Sequence, residues 1–272
     1  MFKADCHLHT TFSPDGRQTP EQLIEASVAA GLTEITVTEH CECNDNAALP
    51  PEETPWPDLD VKAYTETYEK LRKTAPIKIN IGIEIGQATQ GREYAEKMLS
   101  AYDWDFILGS LHNVRGEYDF YYMNYEGKDL GMLFSQYFDQ LYETVDTCRF
   151  SSLSHLYYPV RYIYRQGQTL DLEQFDEKIK LILELLAKKG LGLEINTSSV
   201  NDCFGDLVPG YKYAKMFRQL GGEIVTVGSD SHYTEKVGTG IDTAYKMLKE
   251  AGFSAVATFE KQKPVFHNIY NI

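Results

Sequence analysis

The chain has little of what marks several protein classes. Its 272 residues hold only five cysteines, Cys6, Cys41, Cys43, Cys148 and Cys203. The number is odd and no CxxC pair occurs, which excludes a disulfide scaffold or a cysteine-rich zinc module and points to reduced thiols. Positive charge is scarce: 26 Lys and Arg stand against 40 Asp and Glu, a formal net charge of -14. Nucleic acid and anionic membrane surfaces both require a basic face, so neither is expected as a partner. No run of about 18 apolar residues occurs, so no membrane span is expected. The opening MFKADCHLHTTF lacks a basic stretch followed by an apolar one, so no secretory signal is expected. Together these absences lead to an expected cytoplasmic location. Repeats and biased tracts are missing too, which excludes coiled-coil, collagen-like and disordered classes.

What is present is an ordinary globular composition, 43% hydrophobic and 24% charged, on a chain long enough to bury a core without staples. Short apolar runs alternate with amphipathic stretches from end to end. Strands are expected at Phe2–His9, Glu34–Thr38, Ile77–Ile85, Phe106–Leu111, Phe150–Leu153, Gly192–Asn196 and Ile224–Gly228. Helices are expected at Pro20–Ala30, Val61–Lys73, Arg92–Ala101, Gly131–Thr147, Leu172–Lys189, Tyr211–Leu220 and Val237–Ala251. Pro20 behind Thr19 reads as a helix start, and Gly190 after two lysines as a stop. Seven βα units without a composition break predict one α/β domain over residues 1–272, with its parallel sheet closed or nearly closed into a TIM-like barrel. Residues 43–60 break the rhythm with Pro50, Pro51, Pro55 and Pro57 around Trp56. They form a long loop after the second strand, on the face where such barrels place their active sites, and read equally as a wall of the site or as a solvated loop.

Histidine is also sparse, with seven in all, and the positions of those seven carry the argument. His7 and His9 project from one face of the first strand, because strand side chains alternate with period two. His40 follows the second strand, His112 the fourth and His155 the fifth; Asp230 and His232 follow the seventh, Glu84 ends the third, and Asp15 lies in the first βα loop. A barrel gathers all of these onto one rim, whereas His267 falls in the carboxy-terminal tail and is taken as incidental. Imidazoles with a few carboxylates and no thiolate pattern suit zinc, iron or manganese. Nine candidate ligands (His7, His9, Asp15, His40, Glu84, His112, His155, Asp230 and His232) imply two or three divalent ions, with Glu84 as a natural bridge. Clustered cations acidify water and neutralise an anionic substrate inside an acidic protein, so a metal hydrolase is favoured over a closed structural site.

The motifs DCHLHTTFSPDG, ITVTEH, GIEIG, ILGSLH and GSDSH occur in this order from residue 5 to residue 232. They resemble those of the polymerase and histidinol phosphatase (PHP) family. The resemblance implies a distorted (β/α)7 barrel with a trinuclear metal centre. It assigns His7, His9, Glu84 and Asp230 to a first ion, Glu84, His112 and His155 to a second, and Asp15, His40 and His232 to a third. It further implies hydrolysis of a phosphate monoester, with Glu84, Asp230 and His232 as catalytic residues and Asp230 orienting the attacking oxygen. Stand-alone length and motif spacing are similar to those of the family's histidinol-phosphate phosphatases of histidine biosynthesis; another small ester, a sugar or nucleotide phosphate, is the alternative. An amidohydrolase reading is weaker, because those barrels bridge their metals with a modified lysine. A metal-bound regulator without catalysis is weaker again, because every ligand position is filled.

A phosphate monoester also attracts arginine. Arg161, six residues after His155, is the leading candidate for substrate binding, with Arg17, Arg115 and the strand-end Asn196 behind it; each reads alternatively as a solvated charge or a structural amide. Tyr157 and Tyr158 read as barrel packing, with a wall of the pocket around an imidazole-bearing substrate as the alternative, Cys6 as pointing away from the site, and Asp5 as sharing the face of His7 in a supporting role. The expected partner is a small phosphorylated substrate, with a homo-oligomer as a further expectation.

Overall fold

The seven apolar runs form seven parallel strands, hydrogen-bonded in chain order: β1 (Ala4–Asp5), β2 (Glu34–Glu42), β3 (Lys78–Gly86), β4 (Phe106–Ser110), β5 (Ser152–Leu153), β6 (Gly192–Asn196) and β7 (Val225–Gly228). These and the elements below come from a computed structural model that describes residues 2–44, 47–200, 202 and 204–270. The ends of the sheet meet: Cys6 N donates to Val227 O at 2.8 Å, His9 N to Ser231 O at 2.9 Å, and Leu8 bridges Ser231 in parallel. The result is a nearly closed barrel. Its first strand is shorter than expected because residues 6–9 divide their hydrogen bonds between the two neighbouring strands; Thr38 N donates to Leu8 O, while Asp230 N donates to His7 O.

Among the described residues, eight helices surround the sheet: α1 (Pro20–Ala29), α2 (Val61–Leu71), α3 (Arg92–Leu99), α4 (Leu130–Thr147), α5 (Val160–Arg165), α6 (Asp176–Lys189), α7 (Tyr211–Gln219) and α8 (Ile241–Glu250). Thr19 caps α1 by accepting from Gln22 N, and the Gln22 side chain returns to the cap, a reciprocal pair that satisfies two of the orphan donors at the helix start. Gly190 ends α6 in the left-handed region, φ 65°. Three expectations are corrected. Residues 172–175 are a tight 3₁₀ turn that precedes α6. The last helix starts at Ile241, not Val237, because Gly238 and Gly240 sit at φ 70° and 77°. The short α5 was not expected; its six residues are too few for a periodic signal.

A second addition is the antiparallel hairpin of β8 (Ala255–Glu260) and β9 (Lys263–Asn268). Its two-residue turn, Lys261–Gln262, holds positive φ at both positions, yet it lacks the Asn-Gly or Asp-Gly pair that advertises such turns in sequence. The hairpin closes the N-terminal mouth of the barrel: Ala257 and Phe259 pack on Ala4, Cys6, Phe106 and Leu108, with the rings of Phe106 and Phe259 5.1 Å apart. Among the described residues no helix is long and apolar enough to cross a membrane. Cys6, Cys41, Cys43 and Cys148 are free thiols, and Cys203 lies outside the described residues.

Candidate metal centre

At the other mouth the strand ends converge. Glu84 on β3 is fully buried, and its two oxygens face different imidazoles. Oε1 lies 3.2 Å from His112 Nε2 and 3.3 Å from His155 Nε2. Oε2 lies 3.4 Å from His7 Nε2, 3.6 Å from His9 Nε2 and 2.8 Å from His40 Nδ1. Asp230 Oδ1 stands 3.5 Å from Nε2 of both His7 and His9. A third group forms beside them, with His232 Nε2 3.1 Å from Asp15 Oδ2 and His40 Nε2 3.3 Å from His232 Nε2 and 3.7 Å from Asp15 Oδ2. The structure thus brings together all nine residues singled out as candidate ligands; the ligand atoms that cluster most tightly are those of His7, His9 and Asp230, of His40, Glu84 and His112, and of His9, His40 and His232.

The surrounding hydrogen bonds decide which imidazole nitrogen faces inward. His7 Nδ1 is 2.6 Å from Glu194 Oε1, and His112 Nδ1 is 3.0 Å from Glu42 Oε1, so each donates there and turns Nε2 inward. Ser13 Oγ donates to Glu39 and therefore accepts from His9 Nδ1 at 3.2 Å. Ser110 Oγ donates to Glu84, Ser154 Oγ donates to Ser110, and His155 Nδ1 donates to Ser154 at 3.0 Å. His232 Nδ1 donates to the carbonyl of Asp230 at 3.0 Å. Five of the six rings therefore commit Nδ1 outward and turn Nε2 toward the centre. His40 differs, with Nδ1 toward Glu84 and Nε2 toward Asp15 and His232.

These inward atoms are short of partners: His7 Nε2 and His9 Nε2 are buried without a hydrogen-bond partner, and His40 Nδ1 and Glu84 Oε2 face each other at 2.8 Å. Buried polar atoms are normally satisfied, so a converging set of bare lone pairs fits divalent cations. The electrostatics agree. Burial disfavours the charged form of Glu84, but His7, His40 and His112 hold its carboxyl well below the usual carboxylate range. Burial likewise lowers His7, and Glu194, Asp230 and Glu84 more than reverse it. His9 is driven well below its ordinary value by burial and then by the charges of His40 and His232.

Two backbone features hold the geometry. Asp230 sits at φ 55°, a left-handed conformation that aspartate tolerates and that turns the chain between Asp230 and His232. Gly228 on β7 packs where a Cβ would come within 2.3 Å of His7 Cβ and 2.6 Å of Glu194 Oε1, so only glycine leaves room for the His7–Glu194 pair. Asp5 supports the same loop by accepting from Ser229 N at 2.9 Å and Gly238 N at 3.0 Å. Burial, opposed by those hydrogen bonds, pushes its carboxyl up to about 6.

A cavity of about 440 Å³ opens in front of the centre, lined by Asp15, His40, Trp56, Asp119, Arg161 and His232 among others. Arg161 on α5 is buried; its Nη1 donates to Ser198 Oγ at 2.6 Å and reaches Asp230 Oδ2 at 3.5 Å, while Nε and Nη2 have no partner. Arg17 also lines the cavity, over the Tyr233 ring. Two substrate-binding expectations are corrected. Arg115 is held away from the cavity by Glu143 on α4, with both terminal nitrogens 3.0 Å from its carboxylate, a fork that outcompetes a free loop position. Asn196 is buried behind the rim, donating to Glu194 at 3.2 Å and Asp230 at 3.3 Å. His267, expected to be incidental, lies in β9 and stacks on Phe2 at 3.7 Å.

Glu42, Glu39 and Glu194 are the site residues that sequence reasoning missed. A signal for two of them existed. Glu42 lies two residues after His40 in one strand and Glu194 two before Asn196 in another, so each shares a barrel-facing side with a residue already singled out. Of the expected loop over 43–60, residues 45 and 46 lie outside the described residues; Trp56 reaches the cavity, its ring 5.4 Å from that of His40.

Residues 5–198 match the family described as PHP domain. The chain belongs to the PHP family. Among PHP relatives, a protein of Clostridium acetobutylicum named as a probable histidinol-phosphatase is 30% identical over 95% of this chain and 97% of its own length. The histidinol-phosphatase of Lactococcus lactis subsp. lactis is 28% identical over 97% and 96%. The solved structure of the histidinol phosphate phosphatase from the same species, in complex with zinc, L-histidinol and phosphate, superposes with a TM-score of 0.83 at 27% identity, covering 97% of this chain and 98% of that one. The agreement extends over the whole barrel, beyond the span of the family match.

Proposed function

We propose that the chain is a metal-dependent phosphate monoester hydrolase that converts L-histidinol phosphate and water to L-histidinol and phosphate. The observation that carries the chemistry is the arrangement around Glu84, whose two oxygens each serve a separate group of bare imidazole nitrogens. The substrate rests on the full-length similarity to histidinol-phosphatases. His7, His9, Glu84 and Asp230 would hold one ion, Glu84, His112 and His155 a second, and Asp15, His40 and His232 a third, with zinc, manganese or iron as the chemically suited metals. Bound there, divalent cations supply Lewis-acid chemistry, acidifying water and offsetting phosphoryl charge.

The protein's own residues do the positioning. Arg161 offers its unpartnered Nε and Nη2 to phosphoryl oxygens, a planar fork suited to that geometry. Asp230 orients the attacking water by accepting its hydrogen bond. Burial would raise its carboxyl, but His7, His9 and Arg161 hold it well below the usual range, so it keeps its charge and does not store the proton. Arg17 adds positive charge at the cavity wall. Asn196 and Ser198 act behind these groups, fixing Asp230 and Arg161.

The test is phosphate release by metal-analysed protein from L-histidinol phosphate, beside p-nitrophenyl phosphate and a nucleoside monophosphate. The expected result is a kcat/KM for histidinol phosphate of roughly 10⁴ M⁻¹s⁻¹ or above, far exceeding the other two. Comparable slow rates on all three would keep the reaction and overturn the substrate. No release from any ester by metallated protein would overturn both.

A further inference from the structure

The cavity wall carries side chains of opposite charge. One is the buried Arg161 on α5. Another is Asp119, in the loop after β4. Asp119 N donates to Ala48 O at 2.8 Å, so this residue joins the loop after β4 to the long loop after β2. Its Oδ1 accepts from Tyr121 N at 2.8 Å and from the Tyr158 hydroxyl at 3.4 Å. Among the described residues no ion pair engages its carboxylate. Burial pushes that carboxyl up to about 6, with the charge of His112 opposing the rise. A desolvated carboxylate without a cation is costly until a ligand supplies one.

The ring of Tyr158 lies 4.7 Å from that of His155, 4.9 Å from that of His112 and 5.2 Å from the guanidinium carbon of Arg161, while the Tyr158 hydroxyl touches Asp119. Tyr158 thus lies between Asp119 on one side and Arg161 with His112 and His155 on the other. Tyr121, Tyr122 and Tyr162 wall the same space with aromatic faces.

We propose that Asp119 is the specificity-determining residue of this site: its carboxylate receives an N–H of a nitrogen-bearing leaving alcohol while Arg161 receives the phosphoryl group. The inference rests on the phosphatase reading above and deepens it. A sugar phosphate brings no cation and leaves the carboxylate unpaired; a nucleotide brings a large, further polar group against the same charge. Selection therefore comes from a penalty on the wrong ester as well as a bond to the right one.

The test is Asp119→Asn, which keeps an oxygen for Tyr121 N and removes the charge. In metal-loaded protein, the ratio of kcat/KM for L-histidinol phosphate to that for p-nitrophenyl phosphate is expected to fall about 10- to 100-fold, mainly through KM. The gap between wild type and variant is expected to close on whichever analogue lacks the contacted group, the one without the α-amine or the one without the imidazole. Binding of L-histidinol, read by calorimetry without turnover, is expected to weaken by the same factor. An unchanged ratio, or L-histidinol bound equally by both proteins or by neither, overturns the inference. Failure of the phosphatase reading is seen separately, as wild-type protein that releases no phosphate; Asp119-dependent binding of L-histidinol would then still uphold the subsite.

Discussion

At the N-terminal mouth of the barrel, His267 stacks on Phe2 and shares one hydrogen bond with Thr258, beside a plug of Phe106, Leu108, Ala257 and Phe259. At the C-terminal mouth, five imidazoles face one buried carboxylate, that of Glu84, and His7 Nε2 and His9 Nε2 have no hydrogen-bond partner. The same residue type is structural at one end and chemical at the other. The difference is the company it keeps. The plugged end is satisfied and apolar, and contributes stability; the open end leaves polar groups unpaired and waits for cations and substrate, a strain that the packed end offsets.

The comparison breaks most clearly at Glu84. Glu84→Gln is expected to lower kcat/KM by on the order of 10³-fold or more and to strip metal measured by elemental analysis, because one carboxylate serves two ligand groups. Retention of full metal content would place the shared ligand elsewhere. At the opposite mouth, Phe259→Ala is expected to cost about 3 kcal/mol in chemical denaturation while metal stoichiometry stays unchanged. A loss of metal in that variant would show that the two ends are coupled.

Glu194→Gln sharpens the comparison within the open end. It presents a donor where His155 N and Asn196 Nδ2 already donate, and weakens the acceptor that fixes His7. Metal affinity is expected to fall roughly 10- to 100-fold, read by competition with a chelator. The smallest effect concerns pH. The Asp119 carboxyl stands at about 6 in the folded protein against its ordinary 3.8, so the native state binds the proton more tightly than the unfolded chain. Its contribution to stability is present at low pH and lost as pH rises through about 6. Metal-free Asp119→Asn is therefore expected to gain about 1 kcal/mol on wild type between about pH 5 and about pH 7.5, read from urea melts at the two pH values. A gain in the opposite direction would mean that Asp119 is paired after all.

Much of this was legible in the chain itself. The expected span of β6 coincides with the observed one, and most helices begin within a residue of expectation, because apolar periodicity and the capping at Thr19 and Gly190 are local signals. The nine rim residues were legible because strand alternation and strand-end position are local too. The hairpin was not, since Lys261 and Gln262 carry no turn signal, and their N–H groups are held by Asp105, more than 150 residues earlier in the chain. Arg115 and Arg161 were indistinguishable as loop arginines. Glu143 captured the first, while the second was folded inward on α5 beside Asp230 and Ser198.

By itself, then, the sequence determined which residue types stand at the strand ends and therefore the metal-hydrolase chemistry, because period-two alternation and strand order are properties of neighbouring residues. Only the tertiary structure decided which ring nitrogen each ligand presents, and that Glu42, Glu39 and Glu194 stand behind them. Those contacts join residues far apart in the chain, such as His7 and Glu194 or His112 and Glu42, and no local pattern encodes a distance that exists only once the barrel closes.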